Sequence, residues 1–342
     1  MPLPPSAAPD ASPFAERAPE SVLILKPSSL GDVVHTLPAV AALKRHWPQT
    51  RIRWMVNPEW SPLLEGNPCL DEVLLFPRAS FRGALGPLKM LRWAIHFAPK
   101  AASELVLDFQ CLLRSALIGK LCRKAHFFGL SDAREGARFF YDSTAPVLPT
   151  QHAVDRYLAL VRKVGVPTPL PLEWPLPSGN LPVDFDLKTP FVVLHPFSRG
   201  KGKSLQSAEV ESFCRAMAPW RVVVLGRSAE KVAALPNVDN WLNRTTLPEL
   251  IAIMRQATWV VSVDSGPMHI AAALSPRVLS IHTWSDPRKV GPYPPAAWVW
   301  QKGTLFQQGA PAQARPAPLI QDTALWLKEQ LAHSSDSPLA SR

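Results

Sequence analysis

The sequence predicts an α/β protein made of two doubly wound domains. Three observations carry that prediction. The 342 residues suffice for two domains of ordinary size, strand-like and helix-like stretches alternate along both halves, and a proline-rich segment separates the halves. The first half opens on the apolar run Val22-Leu23-Ile24-Leu25, a strand over 22–26, followed by a helix over 33–46. A strand over 51–56, a helical stretch over 59–66, a strand over 72–76 and a helix over 84–98 come next. A strand over 104–108, a helix over 111–123, a strand in AHFFGL and a helix in AVDRYLALVRKVG, apolar at helical spacing, complete this half. Between Gly165 and Pro190 prolines recur too often for any long element. The second half resumes with a strand over 191–195, helix 207–217, strand 221–225, helices 228–234 and 247–256, strand 258–263, helix 267–274 and strand 277–282. The boundaries expected are a disordered Pro/Ala-rich tail at 1–20, a domain at 21–168, a linker at 169–190, a domain at 191–318, a helix at 319–332 and a disordered polar tail at 333–342. Ligands of such folds sit beyond the carboxyl ends of the strands, so the two domains are expected to face each other across a cleft.

Composition narrows the class. A hydrophobic content of 47% fits sizeable cores, and no apolar run reaches the length needed to span a bilayer. The first 20 residues lack a basic start and an apolar segment, so no secretory signal is expected. Four scattered cysteines form no C-x-x-C pair, which argues against a disulfide framework or a zinc site and for a reducing cytosol. The net charge of +10 is uneven: eleven Lys/Arg lie between Arg78 and Arg138 against four acidic residues. Such a field suits a polyanionic partner or simply a solvated surface. The basic residues form no nucleic-acid recognition motif and no aromatic platform accompanies them, so nucleic acid is not the expected partner.

Four loops at strand ends could carry chemistry. In KPSSLGD, Ser29 and Asp32 fit a helix capping box, and Asp32 could equally take a proton from an incoming hydroxyl. In VVSVDSGPMHIAAAL, Asp264, Ser265 and Gly266 open a helix whose N–H groups and dipole suit an anion, with His269 one turn in. An N-cap alone would account for Asp264 but not for His269. In VLHPFSRGKGKSL, Ser198, Arg199, Lys201 and Lys203 follow a strand and suit a diphosphate, or form a merely exposed basic loop. The terminal GKS is not a P-loop, because Phe197 stands where glycine is needed. The fourth loop, HTWSDPRKVGPYPP, reads as a structured turn. Asp184 and Asp186 match D-x-D, but two carboxylates in a proline-rich stretch offer a hard cation too few oxygens.

The first two loops together resemble a known family. KPSSLGDVVHTLPA is similar to the K-x-S-S-x-G-D-x-x-x-T-L-P signature of the ADP-heptose:lipopolysaccharide heptosyltransferases, glycosyltransferase family 9, and VVSVDSGPMHIAAAL to their V-S-x-D-[ST]-G-x-x-H segment. DFQCLLRSALIGKLC, GLSDAREGARFFY and HAVDRYLALV resemble heptosyltransferase I more than other members, and the likeness runs from about Val22 to Leu331. The resemblance implies a GT-B fold of two Rossmann-like domains, the first binding the acceptor and the second the nucleotide sugar. It implies an inverting glycosyltransferase, without metal or cofactor, that moves heptose from ADP-heptose to a Kdo residue of the lipopolysaccharide inner core. Asp32 then matches the general base, Lys203 the lysine that neutralises the leaving ADP, and Ser198 a hydroxyl beside it. Asp264, Ser265, Gly266 and His269 match the donor-contacting segment, Glu230 the glutamate near the ribose, and Thr245 a contact to the adenine. The anionic Kdo-lipid A acceptor gives the basic stretch a role, with Arg78, Arg82, Arg114, Lys120 and Arg134 as its acceptor-binding residues. The implied place is cytoplasmic, peripheral at the inner membrane, with no transmembrane segment. The sequence departs from the family at Pro27, Phe197 and Leu205. A transferase for another nucleotide sugar or a later heptose, and a non-catalytic sugar-nucleotide-binding protein, remain open readings.

Overall fold

The computed structural model describes Phe14 and residues 17–200, 202–293 and 296–335, so most of the expected tail at 1–20, residues 336–342 of the expected tail at 333–342, and Lys201 lie outside the described residues. Phe14 is buried edge-on against Trp47 and His126, and Arg17 pairs with Glu104. The chain divides into two units, Met1–Pro177 and Ser178–Arg342, the boundary falling within 169–190.

In the first unit the run Val22–Leu25 is buried on both sides, as in a central parallel strand, and forms β1 (Ser21–Leu25). It is followed by α1 (Leu30–His46), β2 (Arg51–Val56), β3 (Glu72–Leu75), α2 (Gly86–Ala101) and β4 (Ser103–Asp108). Then come α3 (Leu113–Cys122), β5 (Arg123–Leu130), β6 (Ser143–Ala145) and α4 (Ala153–Lys163). The sheet order is β3-β2-β1-β4-β5-β6, with every pair parallel. That is the doubly wound order, and it reverses between β1 and β4, which opens a crevice at their carboxyl ends. Phe97, Ala98, Ala116 and Ile118 of α2 and α3 pack on Leu23, Leu25, Val106 and Phe127 of the sheet. Right-handed crossovers put α1 on the opposite face, and α4 packs beside it.

Several elements differ from expectation: β6 was not expected, and α1 starts at Leu30 rather than 33. The stretch 59–66 gives only a 3-10 turn at Ser61–Leu63, because Pro58 and Pro62 remove donors and Gly66 turns left-handed at φ 65°. Helix α3 starts at Leu113 rather than 111, since Cys111 sits at φ 55° with its N–H bonded to Asp108 Oδ1 at 2.9 Å.

The second unit has the elements β7 (Phe191–His195), α5 (Ser207–Met217), β8 (Arg221–Val224), β9 (Val238–Asn240), α6 (Leu247–Gln256) and β10 (Trp259–Val263). It continues through α7 (Gly266–Leu274), β11 (Val278–His282), the short α8 (Pro287–Val290), β12 (Trp298–Gln301), β13 (Thr304–Gln307), β14 (Ala310–Pro316) and α9 (Ile320–Ser335). Its sheet runs β14-β13-β12-β11-β10-β7-β8-β9. The six strands from β9 to β12 are parallel and repeat the order of the first unit, reversing between β7 and β10, while β13 and β14 add an antiparallel edge. Val192, Leu194, Phe213, Met217 and Val261 make its core, and α9 packs along α5 with Trp326 turned inward.

The helix expected at 228–234 is absent. Seven residues barely exceed a helical nucleus, and here Asn243 takes both the N–H and the C=O of Ser228 while the Ser228 hydroxyl takes the Glu230 N–H. Strand β9 and the strands between 298 and 316 were not expected. Among the described residues, no helix is long and apolar enough to cross a membrane.

Candidate active site

Where β1 ends, Lys26-Pro27-Ser28-Ser29 leads into α1 with Asp32 in its first turn. The Ser29 N–H and hydroxyl both donate to Asp32 Oδ2, at 3.0 and 2.7 Å, so the capping box is present. The other oxygen does more. Asp32 Oδ1 accepts from the Tyr157 hydroxyl of α4 at 3.0 Å and lies 3.7 Å from Lys26 Nζ. Lys26 is buried, donates to the Phe109 carbonyl at 2.9 Å, and lies 4.8 Å from the Tyr157 ring centre. Desolvation pushes the Asp32 pKa up, but Lys26 and the Ser29 and Tyr157 donors outweigh it and hold the carboxyl below its usual range. The group is therefore an ionised acceptor near neutral pH, fixed by two elements, with 36% of its side chain still open. Such a group can take a proton from a hydroxyl placed against it.

A pocket of about 190 Å3 adjoins this loop, lined by Pro27, Ser28, Gln110, Arg78, Arg114 and Glu135 among others. Two of its lining residues, Gln110 and Ser115, are held by Asp108 at the end of β4, whose buried carboxylate accepts from the Gln110 and Cys111 N–H groups and from the Ser115 and Tyr141 hydroxyls. Burial pushes the Asp108 pKa up against those donors. Of the five cations expected to bind an acceptor, Arg78 and Arg114 line this pocket. Arg82, Lys120 and Arg134 are exposed and do not line it.

In the second unit the loop leaving β7 holds Ser198 and Lys203, and the turn from β10 into α7 holds Asp264, Ser265, Gly266 and His269, whereas Glu230 follows β8 and Thr245 follows β9. Lys203 Nζ donates to Asp264 Oδ2 at 2.7 Å and sits 5.4 Å from the Trp284 ring centre. Asp264 is buried; desolvation raises its pKa, yet the Lys203 and Ser285 bonds and the Lys203 charge bring it below the usual value. Ser265 is the N-cap of α7 and Gly266 its first residue, and the Ser265 hydroxyl lies 3.3 Å from Ser262 Oγ and 3.4 Å from His195 Nδ1. His269 is buried one turn along. Burial lowers the pKa of His195 to about 4, and that of His282 likewise to about 4.

Beside this loop lies a cavity of about 480 Å3 lined by Ser198, Arg199, Gln206, Ser207, Arg227 and Glu230 together with Phe197. The first turn of α5 faces it, and the Ser207 hydroxyl donates to Glu230 Oε2 at 3.0 Å. Two guanidinium groups, a helix N-terminus and a carboxylate in one cavity suit a phosphorylated nucleoside, the carboxylate accepting from hydroxyls. Thr245 is half-buried just before the Thr246 N-cap of α6 and does not line the cavity. Asp186 accepts the Lys188 N–H in a turn, and among the described residues no three His, Cys, Asp or Glu side chains gather as a metal site.

Sequence reasoning missed Lys26, Tyr157, Asp108 and Arg227. Lys26 and Tyr157 stood in stretches already singled out. A lysine closing an apolar strand and a tyrosine on the buried side of an amphipathic helix both need a buried partner, which is the signal that could have found them.

The chain matches the family model "Glycosyltransferase family 9 (heptosyltransferase)" over residues 100–307. It is 26% identical over 304 residues to lipopolysaccharide core heptosyltransferase OpsX of Haemophilus influenzae, covering 82% of this chain and 84% of that protein. To lipopolysaccharide heptosyltransferase 1 of Salmonella typhimurium it is 29% identical over 288 residues, 80% of this chain and 91% of that one. In fold it is similar to the E. coli heptosyltransferase WaaC with ADP, with a TM-score of 0.72 and 22% identity over 92% of this chain and 99% of that chain. A family 9 glycosyl transferase from Veillonella parvula gives a TM-score of 0.72 at 16% identity, over 92% and 98% of the two chains.

Proposed function

The chain belongs to glycosyltransferase family 9, and from that premise we propose that it transfers heptose from ADP-heptose to a Kdo residue of the lipopolysaccharide inner core, with inversion and without a metal. The observation that carries the reading is Asp32, an ionised and partly open carboxylate fixed by Ser29, Tyr157 and Lys26 beside a pocket that presents Arg78 and Arg114.

The acceptor's carboxylate and phosphate groups meet the two guanidinium groups of the pocket, as bidentate anion partners. Asp32 Oδ1 or Oδ2 takes the proton of the acceptor hydroxyl as its oxygen attacks the anomeric carbon. The bond from that carbon to the diphosphate oxygen breaks with its electron pair, and ADP leaves. One displacement with one proton acceptor inverts the centre. A second carboxylate is unnecessary, because a diphosphate leaves without being protonated, unlike the alkoxide of a hydrolysed glycoside. Lys203 and the N–H groups at the start of α7 stabilise the charge that develops on ADP, and Ser198 lies in the same loop. Arg199, Arg227 and Glu230 surround the nucleoside side of the donor. The relatives named as lipopolysaccharide heptosyltransferases support the donor and acceptor classes. The excess of basic residues between 78 and 138 supports action on an anionic surface at the cytoplasmic face of the inner membrane.

The test is ADP release from ADP-heptose with a water-soluble, deacylated Kdo-terminated acceptor, EDTA present. Turnover that needs both substrates is expected. Absence of turnover with this pair, alongside turnover with another nucleotide sugar, would overturn the assignment of the donor.

A further inference from the structure

Two helices of the first unit are apolar on the side that meets solvent. Helix α2 buries Ala94, Phe97, Ala98 and Ala101 against the sheet, yet Leu88, Leu91 and Ile95 on its outer side are 63%, 51% and 56% exposed. Helix α3, packed beside it, turns Ala116 and Ile118 inward and leaves Leu113, Leu117 and Leu121 outward at four-residue spacing. A surface helix normally carries polar residues there, so apolar stripes on two adjoining helices point to something that covers them. The charges say what. Neither 78–103 nor the α3 segment 111–124 contains a single Asp or Glu, whereas Lys89, Arg92, Lys100, Lys120 and Lys124 stand exposed among the leucines. A second copy would set like charges against like, at a cost. An anionic bilayer meets both features, the leucines entering the headgroup–acyl boundary and the ammonium and guanidinium groups meeting phosphates.

We infer that the outer face of α2 and α3 docks this protein on an anionic lipid bilayer. The same face reaches the acceptor pocket, because Arg114 lies in the first turn of α3 and Arg78 in the 3-10 turn that precedes α2. Docking therefore brings the pocket to the membrane surface, where a lipid-linked acceptor presents its sugar; this last step rests on the acceptor class proposed above. No covalent chemistry is involved, only partitioning.

The experiment is flotation of the full chain with vesicles of phosphatidylethanolamine and phosphatidylglycerol, against phosphatidylcholine alone, for the native protein and for Leu88→Glu/Ile95→Glu/Leu117→Glu. All three positions are exposed, and circular dichroism checks that the variant folds. The expected result is binding to the anionic vesicles that falls at least about tenfold in the variant, with unchanged turnover on the water-soluble acceptor. Equal vesicle binding by both proteins would overturn the proposal, as would no binding by the native protein. So would a native dimer that the variant loses, since a second copy would then cover the face. Vesicle binding lost in the variant while neither protein turns over the soluble acceptor would support docking and sink only the transfer reading.

Discussion

Replacing Asp32 with asparagine separates its two roles. The amide oxygen can still accept from the Ser29 N–H and hydroxyl, so the start of α1 keeps its cap. What disappears is the negative charge 3.7 Å from the buried Lys26 ammonium. At that separation the attraction amounts to about 4.5 kcal/mol at an effective dielectric of about 20, and about 1 kcal/mol in bulk water. Because 36% of the Asp32 side chain is exposed, screening brings the figure toward the lower end, to roughly 2 kcal/mol of stability lost. A protein with about 5–15 kcal/mol in hand remains folded. Turnover is affected far more, since an amide cannot accept the proton: kcat should fall by about 10²–10⁴, or roughly 3–5.5 kcal/mol in the barrier. The assay follows ADP release at saturating donor and soluble acceptor, with urea unfolding and calorimetric ADP affinity measured on the same samples. ADP affinity should stay within a few-fold of the native value. A variant whose kcat lies within a few-fold of the native enzyme would refute the base assignment and leave Asp32 as a helix cap. In the native enzyme the acid limb of the pH–rate profile should lie below the ordinary carboxylate range, because the neighbours of Asp32 favour its ionised form.

Three other outcomes follow from the geometry. Lys203→Ala should weaken ADP binding by about 10–100-fold, and adding Asp264→Asn should restore part of it, because the single variant leaves a buried carboxylate facing the diphosphate; unchanged calorimetric affinity would count against the donor assignment. Gly119→Ala should lose roughly 1–2 kcal/mol of stability despite the better helix propensity of alanine, since a Cβ there falls 2.3 Å from Phe127 Cζ and 2.9 Å from Leu25 Cδ1; a higher urea midpoint would show that the helix can shift away. Acid should destabilise the protein through His195: unfolded, it takes up a proton below about pH 6.5, but folded it resists until about pH 4, so up to roughly 3 kcal/mol is lost as pH falls through that window. His195→Gln should lessen the fall of the urea midpoint between pH 7 and 4.5, with His282 contributing a similar share, and an unaltered slope would assign the acid sensitivity elsewhere.

The alternation of elements was legible where a strand is a short apolar run, as in β1, β7 and β10, or a helix is amphipathic, as in α4 and α5. The loop motifs were legible because they combine glycine, proline and polar residues at strand ends. Strands β12 to β14 escaped notice although Lys302-Gly303, at φ 50° and 76°, is a two-residue hairpin turn between the alternating runs WVWQ and TLFQ. Pro311, Pro316 and Pro318 break the strand pattern that follows, yet on an edge strand proline is tolerated. The site was half legible. Asp32 and Lys203 are marked by local pattern, whereas the groups that set their state come from far along the chain: Tyr157 is 125 residues from Asp32, and Asp264 is 61 residues from Lys203. Pairings that tertiary folding makes leave no local spacing to read. The basic residues show the same limit, since charge density alone could not separate Arg78 and Arg114 in the pocket from Arg82, Lys120 and Arg134 outside it.

The 2.7 Å bond between Lys203 and Asp264 bears on competition in a solution rich in small anions. A bare lysine at a helix N-terminus would attract inorganic phosphate or sulfate at their ordinary concentrations. With Asp264 already answering its charge, the pair is neutral, and a small dianion gains little by approaching a carboxylate to reach the ammonium. On the function proposed above, only a molecule anchored elsewhere as well, through a nucleoside in the cavity of about 480 Å3, would hold its diphosphate close long enough to share the lysine. Occupancy would thereby be reserved for the ligand that carries both parts.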